Sequence, residues 1–345
     1  MKRGLVVKDP TEISDAEWDA RIGAVQLVMA ESGLDFTLVY GDVFRSDDIN
    51  YLTNLCIYWN EGVVAIPLVG APILLTKLSP RVHTWMRKTS TMTDLRSGAG
   101  FGELAEKLVV DTPHGVLGLV DADLWPAPIV DEISAAIPGW EVKMLGSVVR
   151  DQRALPSPAE TTLLRRGSKI LSDAVAAASG PGLSPTDRIA QLERDLRGGG
   201  FTDTAIEVSQ APEGVLTLEV TGQYRNGWPH ASRLVVTGQT PLWQPLLPAA
   251  LEAAIAAVHP GAPWASVVAA AATHLSALPS DTLWAIRCVN QADMATNGEL
   301  LSAERTLNSG EVVILALELL HSGSTRSVVA ETLLVTADGA EQLTV

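Results

Sequence analysis

Apolar positions at Ile22, Val25, Leu27, Val28 and Met29, with polar residues between them, predict an amphipathic helix over residues 15–33 that stops at Gly33. Short β-like apolar runs follow at 36–40, 62–67, 72–75 and 115–120, separated by helical or turn-rich stretches. Strands alternating with helices predict an α/β unit.

The pattern changes near residue 150. Pro156 and Pro158 bias the residues before them toward extended backbone, so 150–160 reads as a linker ahead of a new helix. This divides the chain into an N-terminal domain, 1–150, and a C-terminal domain, 151–345, in keeping with a soft prior of ~150 residues per domain. From 159, Leu163, Leu164, Ile170, Leu171, Ala174, Val175 and Ala178 recur at helical spacing. A second helix opens with Ser184 as cap, Pro185 in the first turn and Asp187 near the positive end of the dipole, and it stops at 198–200. Two Ala-rich helices are expected at 248–258 and 263–277. Strands are expected at 215–224, 232–237, 312–320 and 327–336, with Asp338-Gly339 as a hairpin turn. Helices set against long antiparallel strands make this half α+β.

Hydrophobic residues make up 47% of the chain and charged residues 19%, a globular composition that can fill two cores. The net charge of −15 argues against nucleic acid or an anionic membrane as partner, because recognition of a polyanion starts from a basic footprint. Two cysteines, Cys56 and Cys288, are too few for a disulfide framework or a zinc cluster. The first residues lack the apolar run of a signal peptide, and no apolar run of about 18 residues occurs, so a cytoplasmic protein is expected.

Four segments carry a family resemblance. The stretch Asp47-Asp48-Ile49-Asn50-Tyr51-Leu52-Thr53-Asn54 is similar to an Asn-x-x-Tyr-Leu-Thr-Gly sequence with Asn54 in the place of glycine. Arg153 through Pro156, with Pro158, Glu160, Leu163, Leu164, Arg165 and Arg166, is similar to a linker and first helix. The segment 218–233 is similar to a strand and hairpin, and 307–344 to a pair of closing strands. In that order they resemble the creatinase and proline-peptidase family. The resemblance implies an α/β N-terminal domain and an α+β pita-bread C-terminal domain, commonly in a homodimer.

In the peptidases of that family two metal ions are held by two aspartates, a histidine and two glutamates. Counting back from Arg233, the aspartates correspond to Glu219 and His230. No histidine occurs between Leu275 and Leu320, where the ligand histidine would lie, and the glutamates correspond to Ala316 and Ala330. A shift of one or two residues in the last strands would bring Glu318 or Glu331 into play instead. The resemblance therefore implies a pita-bread protein without the dinuclear site and with no cofactor. A single metal on Glu219, His230 and Glu331 is the remaining metal reading.

His230 is the candidate general acid/base, against an exposed turn histidine, and Glu219 its orienter, against a carboxylate turned outward. Arg233 is a candidate to hold a substrate carboxylate, or else an ion-pair partner of Glu219 or Glu331. Tyr224 and Glu331 would position substrate, with Glu318, His321 and Arg326 near the ends of the last strands. Arg45, Tyr58 and Trp59 border the family-like stretch of the first domain. Cys288 reads as a buried core residue, since nothing nearby activates it. Creatinase uses this fold without a metal, but its histidine-bearing loop corresponds to 209–214, which has no histidine. These residues point first to a metal-independent, creatinase-like enzyme acting on a small polar metabolite, with C–N bond hydrolysis or related chemistry. The alternatives are an inactive relative that binds a ligand or partner protein, and a mononuclear metal hydrolase.

Overall fold

Helix α1 (Asp15–Ser32) starts where the Ser14 side chain accepts the Glu17 N–H, and it ends where Gly33 turns into the left-handed region at φ 65°. It is the first element of a computed structural model that describes residues 7–57, 60–211, 214–278, 282–292, 305–320 and 326–345. The chain forms two compact units, Lys2–Arg153 and Ala154–Val345. Among the described residues no helix is long and apolar enough to cross a membrane.

The first unit is built on six strands: β1 (Phe36–Asp42), β2 (Glu61–Pro67), β3 (Ile73–Thr76), β4 (Asp94–Ser97), β5 (Gly115–Val120) and β6 (Trp140–Leu145). Their order is β4-β3-β2-β1-β5-β6, antiparallel at β1/β2 and β2/β3 and parallel elsewhere. One face buries Val39, Val64 and Leu74 against α1, α2 (Asp47–Thr53) and α3 (His83–Thr89). The other buries Leu38, Val63 and Leu117 against α4 (Phe101–Leu108) and α5 (Ala127–Ala136). Strands β4 and β6 were not expected. Both are edge strands with few buried positions, so neither carries an apolar alternation to read.

Asn54 ends α2 at φ 60°, its N–H bonded to the Asn50 carbonyl. Asparagine is one of the few residues that adopts this backbone readily, which explains how it stands where the resemblance has glycine. Residues 148–153 form α6 (Val148–Arg153) in place of the expected extended linker. Proline constrains only the residue ahead of it, so extension is confined to the neighbourhood of Pro156 and Pro158; Ser157 has φ −63° and ψ 167°.

In the second unit α7 (Pro158–Ala178) and α8 (Pro185–Gly198) each begin with a capping box, Ser157 with Glu160 and Ser184 with Asp187. The sheet comprises β7 (Asp203–Ala211), β8 (Val215–Gln223), β9 (His230–Val236), β10 (Leu283–Asn290), β11 (Val312–Leu320), β12 (Arg326–Thr336) and β13 (Gly339–Gln342). It is antiparallel in the order β10-β11-β12-β9-β8-β7, with β13 on β12. Helices α9 (Leu246–Ala256) and α10 (Trp264–Leu275) cover one face, where Val313, Leu315, Leu317, Val329 and Leu333 pack against Leu247, Leu251 and Val267. These strand residues alternate along β11 and β12, so the intervening ones point to the opposite face. That second face carries the polar side chains.

Candidate functional site

The register across the second sheet aligns one row of residues. Glu207 on β7 is opposite Glu219 on β8, Glu219 opposite Ser232 on β9, Ser232 opposite Ala330 on β12, Ala330 opposite Ala316 on β11, and Ala316 opposite Arg287 on β10. Directly opposed residues share a face, so the row lies on the side away from α9 and α10. His230 and Thr221 form the next pair on the same side. Glu318 and Arg326 lie on it as well, two and ten residues beyond Ala316.

His230 is buried. Its Nδ1 is 2.6 Å from Thr221 Oγ1, and its Nε2 is 3.8 Å from Glu219 Oε1, too far for a hydrogen bond. Its backbone is held by Thr332, whose Oγ1 lies 2.8 Å from both the His230 nitrogen and carbonyl oxygen. Burial, reinforced by Arg287, Arg326 and Arg233, holds its pKa down to about 3, so the ring is neutral near pH 7 and the Glu219 contact is not a salt bridge. Among the described residues Nε2 has no hydrogen-bond partner, and the same is true of Thr217 Oγ1 and Arg287 Nε.

Around this histidine runs a chain of alternating charge. Arg326 donates to Glu219 at 2.9 Å, Glu318 at 3.0 Å and Glu207 at 3.4 Å. Arg287 donates to the same Glu318 oxygen that Arg326 uses. Burial raises the Glu219 pKa; Arg326 and Arg287 oppose the rise, and Glu207 and Glu318 add to it. The side chains of Arg326 and Arg287 are 34% and 36% exposed, so the charged rim reaches solvent while His230 stays below it.

Two expected contributors lie on the other face. Arg233 is opposite Leu218 and Glu331 opposite Leu315, each one residue out of phase with the polar row. They pair with each other at 2.8 Å. Arg233 also donates to the carbonyls of Ser232, Ala330 and Thr344, and Thr344 Oγ1 donates to Glu331 at 2.6 Å. This network ties the end of the chain to the sheet. Of the two partners expected for Arg233, the structure selects Glu331; the cation on Glu219 is Arg326.

Tyr224 is buried against Phe201, with ring centroids 5.3 Å apart, and lies so close to Gly167 of α7 that a Cβ there would meet it at 2.8 Å. It is a packing residue. Cys288 is buried, and desolvation pushes its thiol up to about 12, as expected of a core cysteine. Arg45, in the first unit, is exposed and donates to the Leu124 carbonyl at 2.6 Å. Tyr58, Trp59 and His321 lie outside the described residues.

Arg287 and Glu207 were missed. Each is a charged residue within a short apolar run, Ile286-Arg287-Cys288 and Ile206-Glu207-Val208, and that was the available signal. Neither run is among the strands the sequence predicts.

No family model matches the sequence, and no curated protein does. Solved structures do match. The X-Pro aminopeptidase from Thermotoga maritima MSB8 superposes with TM-score 0.79 at 15% identity, covering 94% of this chain and 97% of its own. The Xaa-Pro dipeptidase from Bacillus anthracis gives 0.76 at 18%, covering 95% and 97%. The prolidase from Pyrococcus horikoshii OT3 gives 0.74 at 16%, covering 94% and 98%. This chain has the pita-bread fold.

The strand register shows which of the residues considered for metal positions share a face. Ala316 and Ala330 face each other in the polar row and have no ligating atom. Glu318 shares their face, whereas Glu331 does not, so the set Glu219, His230 and Glu331 is not assembled. Among the described residues no group of three or more His, Cys, Asp or Glu side chains is arranged to hold a metal ion. The carboxylates of Glu219 and Glu318 on this face are bonded to guanidinium groups. This donor set does not fit a dinuclear centre.

Proposed function

We propose that the chain is a metal-independent pita-bread hydrolase that binds a small polar molecule over the floor formed by Ala316 and Ala330 and cleaves a C–N bond in it. The observation that carries this reading is the buried, unpartnered Nε2 of His230 facing the Glu219 carboxylate at 3.8 Å. A buried imidazole nitrogen below a charged rim that reaches solvent is a position a hydrogen-bonding occupant would satisfy. The fold of the proline peptidases accords with a hydrolase of C–N bonds but does not by itself assign the reaction.

The two roles expected for the pair are exchanged in this proposal. A histidine held near pKa 3 is a weak base at neutral pH, whereas a carboxyl raised above its usual range comes closer to the operating pH. Glu219 is therefore the proton-transfer group, taking a proton from the attacking water and returning it to the leaving nitrogen. In this proposal Thr221 is the donor in its 2.6 Å contact with Nδ1 of His230, which leaves the ring proton on Nε2 to bind and orient the substrate. Arg326 and Arg287 face the position where negative charge develops on the substrate oxygen.

One observation favours a second reading, a binding protein without turnover. Arg326 and Arg287 already satisfy Glu219 and Glu318, an arrangement stable without substrate. A screen of small amides, guanidino compounds and amino-acid derivatives, read by thermal stabilisation and then by mass spectrometry of the products, separates the two. The hydrolase reading expects a stabilising compound that is cleaved. A compound that stabilises and is recovered intact supports the binding reading, and absence of stabilisation by every class removes both.

A further inference from the structure

Among the described residues β9 and β12 pair at one position, Ser232 with Ala330. Continued two residues further, that antiparallel register sets His230 opposite Thr332. There the join is made by a side chain. The Thr332 hydroxyl accepts the His230 N–H and donates to the His230 carbonyl, both at 2.8 Å. A hydroxyl has one proton and two lone pairs, so a single oxygen satisfies both main-chain groups. Thr332 is itself fixed: its N–H donates to Thr344 Oγ1 and its carbonyl accepts the Leu343 N–H, each at 2.8 Å. Thr332 and His230 are both buried, so bulk water does not stand in for these bonds. Thr221 on β8 thus holds the ring and Thr332 on β12 the main chain, from the strands on either side of β9.

We infer that Thr332 is the positioning residue of His230: its hydroxyl, in place of a main-chain pair, sets how β9 lies against β12 and so aims Nε2 at Glu219. The inference rests on the reading of His230 as the group that orients the substrate, and it names what orients His230. The Thr332 proton is committed to the His230 carbonyl, so Thr332 acts through the histidine and not on the occupant. The separation of Nε2 from Glu219, 3.8 Å, is only just beyond hydrogen-bond range. A small displacement of β9 therefore decides whether the two groups bond each other or stay open to an occupant. Valine would fill the same space as Thr332 but would leave the N–H and carbonyl of His230 buried without these partners.

The test reads the ring of His230 directly. Full-length wild type, Thr332→Val and Thr332→Ser are prepared with nitrogen-isotope-labelled histidine, and the ring nitrogens are followed by NMR at pH 7. The His230 signals are assigned by their absence from His230→Asn. In wild type one ring nitrogen should carry the proton and the other be bare, giving two well-separated signals. In Thr332→Val the two should move toward each other as the ring loses its fixed contact with Thr221 and samples both tautomers, and Thr332→Ser should restore the wild-type positions. Ile133→Val, at a buried position of the first unit, controls for lost stability and should leave the His230 signals unmoved. Should the valine variant fail to fold, Thr332→Cys, close in shape with a weaker hydrogen-bonding group, carries the test with the same expected shift. A folded Thr332→Val with wild-type His230 signals, or a serine variant shifted as far as the valine one, overturns the inference. The comparison uses no substrate, so a failed compound screen leaves its result standing and the two proposals fail separately.

Discussion

His230 Nε2 points at Glu219 Oε1 from 3.8 Å, while its Nδ1 is fixed by Thr221 at 2.6 Å. One ring nitrogen is anchored and the other is available, and the group it faces is a carboxylate whose pKa burial has raised. The consequences can be tested one residue at a time.

Glu219→Gln keeps the shape of the side chain and removes its proton chemistry. Turnover of any cleaved compound should fall by about a hundredfold or more, with the thermal shift produced by that compound largely retained. Single-turnover product analysis checks this. Retained activity would remove Glu219 from the proton-transfer role.

The buried histidine makes a pH signature. His230 titrates near 6.5 when unfolded and about 3 when folded, so below 6.5 the unfolded chain takes up the extra proton. The stability this group contributes is complete above 6.5 and is lost as pH falls toward 3. Glu219 has the opposite sign: its raised folded value makes its contribution decline as pH rises above the ordinary 4.5. Denaturation of wild type and His230→Asn in parallel isolates the first effect. Wild type should lose stability more steeply on acidification below 6.5, and equal slopes would contradict the buried neutral ring.

Glu331→Gln tests the separation of the two sheet faces. It weakens the Arg233 pair and the acceptor for Thr344, and should cost about 1–2 kcal/mol in chemical denaturation, a modest figure because Arg233 is partly exposed. Ligand affinity should not change. A large loss of affinity at unchanged stability would return Glu331 to the pocket.

Much of the fold could be read from the sequence because the signals are local. Ser184-Pro185 announced the start of its helix, and the apolar runs of β11 and β12 announced their strands. Glu219 and His230 could be paired through the hairpin they share. Arg233 and Glu331 could not be placed, because a single residue of phase decides which face a strand residue takes. Arg287 and Glu207 lie on the outer strands of the sheet, whose mixed polarity resembles a loop, and the contacts that make them part of the site come from strands distant in sequence.

The alanine floor is open to a steric test. Ala330→Leu adds bulk beside Ala316 at a fully buried position and should cost about 1–3 kcal/mol. Any compound that stabilises wild type should no longer stabilise this variant. An unchanged ligand shift would place the binding site elsewhere.

The most direct test of a metal-independent pocket is metal analysis of the purified native protein, with manganese, cobalt and zinc titrated against its melting temperature. The account predicts no stoichiometric metal and no shift. Stoichiometric metal that is lost with His230→Ala would contradict it and show that Glu219 and His230 belong to a rebuilt metal centre.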